Sequence, residues 1–517
     1  MKTYSFSTLG LAGVFEAPVS MMKKTAVALA VVLACGLATD HSLANVEAAG
    51  SNWSSVGGDN SNQRYSPLDQ INTDTIGKLG GAWVRELDVK TRTAPVMVGG
   101  ILYTNDATKM YALDAKTGKT IWEYKSEEST PARGGVTVVD GKVYGSLVNA
   151  HVVSLDAKTG KLLWTGYVGN VVEEKGDAGD EMSFGGDIPS FDPIAGFLSS
   201  APNYVNGKII VGLSGGDAGT RSKIAALDAN TGELVWEWWV APNPGEPGSE
   251  TWPKGIDSSL LGGGAVWRHG AADPDLGLVY FGTGNGWPIV GGELRAGDNL
   301  YMASIVALDV NTVKLKWHYQ LTRHDLWEMD LSTPPILYET KVDGRTRKAI
   351  AIMRTDGYLF VFDRVTGEPL VPIEDRAVPQ DVRQRTAATQ PFPAGADQVG
   401  PNCVEEEFML PGFKSGCWFD PPFYDKNGII IQNPNVRFPP MSYSPQTGYF
   451  YVPGGISSWI HRRIQSPNIY LWGRPPGTRE EGIVAAIDSK TMKIVWENRS
   501  PWSSPIPTTW LPMPQQR

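Results

Sequence analysis

Ala112-Leu113-Asp114-Ala115-Lys116-Thr117-Gly118-Lys119-Thr120-Ile121-Trp122 reads as an apolar strand, a tight turn, a second strand and an aromatic residue, and the chain repeats it. The motif returns as Ser154-Leu155-Asp156 with Thr159-Gly160 and Trp164, and as Ala226-Leu227-Asp228 with Thr231-Gly232 and Trp236. Two further copies are Ala307-Leu308-Asp309 with Thr312 and Trp317, and Ala486-Ile487-Asp488 with Thr491 and Trp496. Weaker ones are Asp363 with Thr366-Gly367, and Ser444-Pro445 with Thr447-Gly448. In Asp-x-x-Thr-Gly the carboxylate and hydroxyl bond nearby backbone groups and the glycine accepts a positive φ, so the chain reverses at once. Strand, turn, strand and a wedging tryptophan at a spacing of about 40 residues is the pattern of β-propeller blades. The intervals before Asp228, Asp309 and Asp488 are longer than a bare blade needs, which predicts inserted loops or a degenerate blade. Long insertions on one face of a scaffold are where chemistry is expected.

Composition agrees with an all-β class. The 517 residues include 58 Gly, 37 Pro and 18 Trp with only 20% charged side chains, which suits short strands and tight turns. The net charge is -9 and no run of Lys and Arg could track a phosphate backbone, so nucleic acid is not an expected partner. Near the N-terminus, Met22-Lys23-Lys24, the apolar stretch Thr25 to Ala38 and Ser42-Leu43-Ala44 have the order of a secretory signal peptide. Residues 1–44 are therefore read as an extension and a signal peptide, with the mature chain beginning at Asn45 and destined for the periplasm. The apolar core is too short for a transmembrane helix. Cys35 within it offers the alternative of a lipid anchor. In an exported chain Cys403 and Cys417 suggest one disulfide, worth roughly 3 kcal/mol on a loop-entropy argument. There is no CxxCH motif for a covalent haem.

From Trp53 with Gly57-Gly58-Asp59 and Arg64-Tyr65-Ser66-Pro67-Leu68 through to about Trp502, the sequence resembles the pyrroloquinoline quinone (PQQ) dependent alcohol and glucose dehydrogenases. That family has an eight-bladed propeller. The resemblance implies one propeller over residues 45–502, eight-bladed or C-terminally incomplete, with 503–517 a Pro-rich tail. Its clearest stretch is Gly282-Thr283-Gly284-Asn285-Gly286, then Gly297-Asp298-Asn299-Leu300, then His324-Asp325-Leu326-Trp327-Glu328-Met329-Asp330. The Leu-Trp-x-Met-Asp wording is similar to the membrane glucose and polyol branch.

Site residues follow position by position. The resemblance implies that Asn285 is a metal ligand and that Glu328 is both metal ligand and catalytic base, with Glu where the family has Asp. Asp217, in Ser214-Gly215-Gly216-Asp217, stands where the family has a metal-binding Glu, the opposite exchange, and the loop itself is a cofactor contact. Asp330 matches an extra Asp of lanthanide-using members, with a structural carboxylate as the alternative. Trp267, in Gly262-Gly263-Gly264-Ala265-Val266-Trp267, matches the indole that lies beneath the quinone. Arg354 matches the cation that bonds the quinone oxygens, and Arg133 one that pairs with a PQQ carboxylate. Adjacent cysteines that line the quinone in methanol and ethanol enzymes are absent near Glu127-Glu128, so methanol is a poor substrate expectation. The implied cofactors are PQQ and Ca2+, or a lanthanide ion. The implied partners are an alcohol, polyol or sugar and an external acceptor, either cytochrome c or a membrane quinone. A non-catalytic propeller scaffold or an inactive pseudo-enzyme would share the blade repeats, but it would not require Trp267, Asn285, Arg354 and the 324–330 motif.

Overall fold

The computed structural model describes residues 52–88, 93–171, 194–422, 429–432, 436, 439–463, 470–473 and 478–501. The signal peptide, Cys35, the start at Asn45 and the tail 503–517 lie outside the described residues. Regular structure among the described residues is β-strand, with 3-10 turns of three residues between strands.

Four antiparallel sheets of four strands follow one another in chain order. They run from Val96–Val98 to Thr120–Tyr124, from Pro131–Val139 to Leu162–Tyr167, from Asn203–Val205 to Leu234–Trp239, and from Ala271–Asp273 to Leu315–Gln320. A fifth sheet has the three strands Ile336–Val342, Arg345–Met353 and Leu359–Asp363. The sixth is built on Ser442–Ser444, Tyr449–Arg463, Glu480–Asp488 and Ile494–Ser500, and the long strand also pairs with Ile429–Gln432 and Tyr470–Gly473. The all-β propeller expectation holds. Six blade-like sheets are present among the described residues, where the resemblance implies a ring that is eight-bladed or C-terminally incomplete.

The repeat works as its residues suggest. The Asp114 carboxylate accepts the Thr117 N–H at 2.8 Å and the Thr117 hydroxyl at 2.7 Å, and Gly118 follows at φ 68°. Outer strands expose their polar positions and bury the tryptophan, as in Thr120–Tyr124. Each tryptophan then reaches the next sheet. Trp122 donates its indole N–H to the Ala157 carbonyl at 3.0 Å, Trp164 to Ala229 at 3.1 Å, Trp236 to Val310 at 2.8 Å and Trp317 to Arg364 at 3.1 Å. Every acceptor is the residue after the Asp of the following turn. A Cβ on Gly160 would sit 2.7 Å from the Trp122 ring, so this glycine supplies both the turn and the seat of the neighbouring indole. Trp496, in the sixth sheet, is 44% exposed, and none of the described turns receives it.

A second seam was not anticipated from the sequence. The stretch from Trp53 to Gln63 bonds the first strand of all six sheets in turn. Trp53 exchanges backbone hydrogen bonds with Met97, the Val138 N–H donates to Ser54, and the Asn60 side chain donates to the Tyr204 carbonyl. The N–H groups of Ala272, Leu337 and Tyr443 donate to the carbonyls of Asn60, Ser61 and Gln63. Asn62 is buried at φ 59° and its amide donates to the carbonyls of Gly270 at 2.9 Å and Pro335 at 3.1 Å. Asn62→Ala loses both bonds and places Cβ chemistry without a local polar partner at positive φ, so it is expected to destabilise the fold by about 3 kcal/mol. Denaturant midpoints check this, with Asn62→Gly recovering about 1 kcal/mol of the loss.

The Cys403–Cys417 disulfide is present, closing a loop that brings Trp418 and Phe419 against Trp327 and Phe392.

Candidate active site

Three of the expected positions occupy equivalent places. The Ser214–Asp217 turn, Asn285 and Arg354 each follow the second strand of a sheet, after Lys208–Gly212, Leu278–Gly282 and Arg345–Met353 respectively. The sequence repeats thus deliver them to one edge of three consecutive sheets.

Four side chains are joined there by hydrogen bonds. The Asn285 amide donates to Asp217 Oδ1 at 3.1 Å and to the Gly286 carbonyl at 3.2 Å. Both of its N–H groups are therefore engaged, and Oδ1 is what this side chain has to offer a cation. The Asn285 backbone N–H donates to Asp330 Oδ1 at 2.9 Å, and the Trp267 indole donates to Asp330 Oδ2 at 3.0 Å. Asp330 is thus a buckle between the expected metal ligand and the expected cofactor floor. Its own carbonyl accepts the Thr355 hydroxyl at 2.8 Å. A Cβ on Gly284 would stand 2.7 Å from Asp330 Oδ1, so the second glycine of Gly-Thr-Gly-Asn is needed for the carboxylate to approach.

The 214–217 turn lies tight against the glycine run. Gly215 has φ 109°, and a Cβ on Gly216 would meet the Ala265 N at 3.0 Å. Ser214 is buried and its hydroxyl bonds Ser199 at 2.9 Å, which in turn donates to the Trp267 carbonyl at 2.9 Å. Trp267 is half-buried with the Arg268 guanidinium 4.6 Å over its ring, a cation–π contact absent from the sequence reading.

Glu328 is buried at φ 58°, in the left-handed region that a side chain other than glycine occupies at a cost of about 1–2 kcal/mol. No three His, Cys, Asp or Glu side chains among the described residues converge closely enough to hold a metal ion by themselves. An ion here would need the Asn285 oxygen and atoms from a bound ligand.

Arg354 is placed differently from expectation. Its guanidinium is fully buried and grips Asp356 in a fork, Nε to Oδ1 at 2.9 Å and Nη2 to Oδ2 at 2.8 Å. Nη1 donates to the carbonyls of Leu321 and Pro391 at 2.6 and 2.7 Å. Four of its donor positions are thereby spent inside the protein, within a cage that includes Phe360, Phe392 and Phe419. Arg133 is half-buried in the strand Pro131–Val139, where the register shifts between Pro131 and Val136. It belongs to the second sheet, while the four joined side chains come from the third and fourth sheets and the loop after the fourth.

The motif's His324 and Asp325 have opposite electrostatics. Both ring nitrogens of His324 lie 2.8 Å from carbonyls, of Gly297 and Gln384. Two acceptors favour the cation, but burial, with the nearby Arg295 guanidinium, dominates and lowers the ring to about 4. Burial raises the Asp325 carboxyl to about 7 against the pull of two backbone N–H groups. Histidine stabilisation is complete above the ordinary value near 6.5 and is lost as pH falls through about 4, a difference on the order of 3 kcal/mol. The Asp325 contribution runs the other way, declining as pH rises from 3.8 through about 7. The two therefore oppose each other across mildly acid pH. Thermal melts between pH 7 and 4 should show His324→Gln gaining stability relative to wild type on acidification and Asp325→Asn losing it.

A profile of the PQQ glucose/ethanol/alcohol dehydrogenase β-propeller domain matches residues 53–413. The quinohemoprotein alcohol dehydrogenase ADH-IIG of Pseudomonas putida is 30% identical over 499 residues, covering 90% of this chain and 62% of its own. The quinohemoprotein alcohol dehydrogenase of Comamonas testosteroni is 31% identical over 509 residues, covering 88% and 65%. The chain spans less than two thirds of the length of these relatives. The solved structure of the Pseudomonas putida HK5 enzyme superposes with a TM-score of 0.67 at 28% identity, over 87% of this chain and 67% of that one.

Proposed function

Because this chain belongs to the PQQ-dependent glucose/ethanol/alcohol dehydrogenase family, we propose that it oxidises an alcohol, polyol or sugar hydroxyl in the periplasm and passes the electrons to an external cytochrome c or membrane quinone. The observation that carries the reading is the continuous hydrogen-bonded string Asp217, Asn285, Asp330 and Trp267. Blade packing does not call for it, since the blades are already joined through the tryptophan and turn contacts.

The residues fit the cofactor and a hard cation. Carboxylate and amide oxygens are gathered beside an indole, which suits an ion that prefers oxygen in high coordination number together with a flat, aromatic ligand. Asp217, Asn285 and Glu328 would hold the ion, and the Ser214–Gly216 turn and Trp267 would line the cofactor. Ca2+ is the ion we favour, because both Asp330 oxygens already accept hydrogen bonds. A lanthanide is the alternative if Asp330 also ligates. Bound PQQ supplies the hydride acceptor, and the ion the Lewis acid beside it. Glu328 would take the proton from the substrate hydroxyl oxygen at its carboxylate, the hydride lost being the one on the carbon that bears that hydroxyl. Asp330 keeps Asn285 and Trp267 in mutual register. Arg354, neutralised by its fork with Asp356, steadies the turn that carries Thr355, and Arg133 would pair with a PQQ carboxylate from the second sheet.

No helix among the described residues is long and apolar enough to cross a membrane. The test is reconstitution of the purified chain with PQQ and either Ca2+ or La3+, followed by dye reduction with primary alcohols, secondary alcohols and aldoses. Turnover dependent on both PQQ and metal supports the proposal. Failure to bind PQQ under either metal overturns it, and binding without turnover on any of these substrates would make the chain a non-catalytic member.

A further inference from the structure

We infer that Asp325 is a positioning residue for Glu328, a role that rests on the alcohol-oxidation reading above. Its carboxylate turns back on its own loop. Oδ1 accepts the Trp327 backbone N–H at 2.9 Å and Oδ2 accepts the Met329 backbone N–H at 2.8 Å. Those two amides flank Glu328 on either side. The Met329 amide belongs to the peptide plane that sets the Glu328 ψ, and the Trp327 amide to the plane one residue further back, so gripping both pins the Trp327–Met329 segment at its two ends and holds Glu328 at φ 58° where an unrestrained chain would relax. Two hydrogen bonds of this kind, each contributing about 0.5–1.5 kcal/mol, are of the size needed to offset such strain.

The grip is itself anchored on both sides. Trp327 is fixed by its indole N–H, which donates to the Asp420 carbonyl at 2.7 Å, and by edge contact with Phe419 at 5.1 Å. The Asp325 carbonyl accepts from the fully buried Arg295 guanidinium. Arg295 also donates to the carbonyls of Pro288 at 2.9 Å and Ile289 at 2.6 Å and to Asn299 Oδ1 at 2.9 Å. Pro288 and Ile289 lie just beyond Asn285 in the same loop. One buried cation thereby ties the loop that carries the proton acceptor to the loop that carries Asn285. Asp325 aims its oxygens at backbone amides, so it is not a second base.

Asp325→Asn keeps the shape but sets its amide N–H group against one of the two backbone donors, and Asp325→Ala removes both acceptors. Misplacement of a reacting group by about 1 Å costs roughly a hundredfold in rate. In the PQQ- and Ca2+-loaded enzyme, kcat is expected to fall about 30-fold in Asp325→Asn and about 100-fold in Asp325→Ala. KM for the alcohol and the fraction of PQQ retained, read from its absorbance, should stay within about threefold, and pH dependence of kcat should shift in Asp325→Asn. Hydrogen exchange at the Trp327 and Met329 amides, measured without cofactor, should accelerate at least about tenfold. Unchanged kcat with faster exchange would overturn the positioning role, as would loss of PQQ in step with kcat, which marks general loosening. Unchanged exchange overturns it whether or not the wild-type chain turns over, whereas a silent wild type with accelerated exchange in the variant would sink the alcohol-oxidation reading and with it any catalytic meaning of the grip.

Discussion

Glu328→Gln is expected to lower kcat by at least about a thousandfold while PQQ remains bound. A carboxamide has nearly the volume of the carboxylate it replaces, so the buried side chain and its loop keep their shape. What is lost is the only change that matters for proton transfer: the group can no longer accept the hydroxyl proton at neutral pH. General-base catalysis by a positioned side chain contributes about 10²–10⁴-fold, and weakened hold on the cation adds to the loss. Steady-state dye reduction beside the quinone absorbance of the purified variant separates the two effects. Asp at this position is the residue that the family motif carries. Glu328→Asp is therefore expected to keep measurable turnover, within about tenfold of wild type, because the acid is retained and only its reach changes. If Glu328→Gln turns over at the wild-type rate, the proton acceptor lies elsewhere.

Much of this was legible in the sequence because it is local. The Asp-x-x-Thr-Gly turns with their tryptophans fix strand, reversal and strand within a dozen residues, and they gave the propeller class without any long-range information. The disulfide was legible for the same reason, since two cysteines only 14 positions apart close a short, local loop. Asn285, Asp217 and Trp267 were found through their motifs, and the structure brings them together with Asp330. Other features depend on partners far away in the chain. The seam from Trp53 to Gln63 joins residues separated by up to several hundred positions, and nothing in its composition says which six strands it will meet. The role of Asp330 as a buckle requires knowing that the Trp267 indole points toward it. Asp325 was visible as a letter of the motif, but its bonds to the amides around Glu328 become apparent only when the loop's left-handed turn is seen. The number of blades stayed beyond reach for a related reason: degenerate copies such as Asp363 carry the turn without the tryptophan that would mark the outer strand.

Arg354→Ala is expected to cost about 3–5 kcal/mol of folding stability, which would make it the most destabilising single change considered. The sequence pointed to a guanidinium that reaches the quinone, yet Asp356, two residues further on in the same turn, is what it holds. Both partners of that fork are buried, with side-chain exposures of 0% and 1%. Deleting the cation leaves the Asp356 carboxylate without its counter-charge and two carbonyls, of Leu321 and Pro391, without their donor. Arg354→Lys keeps the charge but cannot reproduce the fork, so an intermediate loss of about 2 kcal/mol is expected. Asp356→Asn should lose less than Arg354→Ala, because the amide oxygen still accepts one guanidinium N–H. Combining Arg354→Ala with Asp356→Asn should cost clearly less than the sum of the two, since the second change removes the very charge that the first leaves stranded. Chemical denaturation of the four proteins gives this coupling directly. A guanidinium serving chiefly the quinone would behave otherwise: Arg354→Ala would release PQQ with less than about 1 kcal/mol of stability lost, and the two positions would show no coupling. The fork seen here predicts coupling, with any effect on the quinone following from movement of the turn at Thr355, whose hydroxyl holds the Asp330 carbonyl.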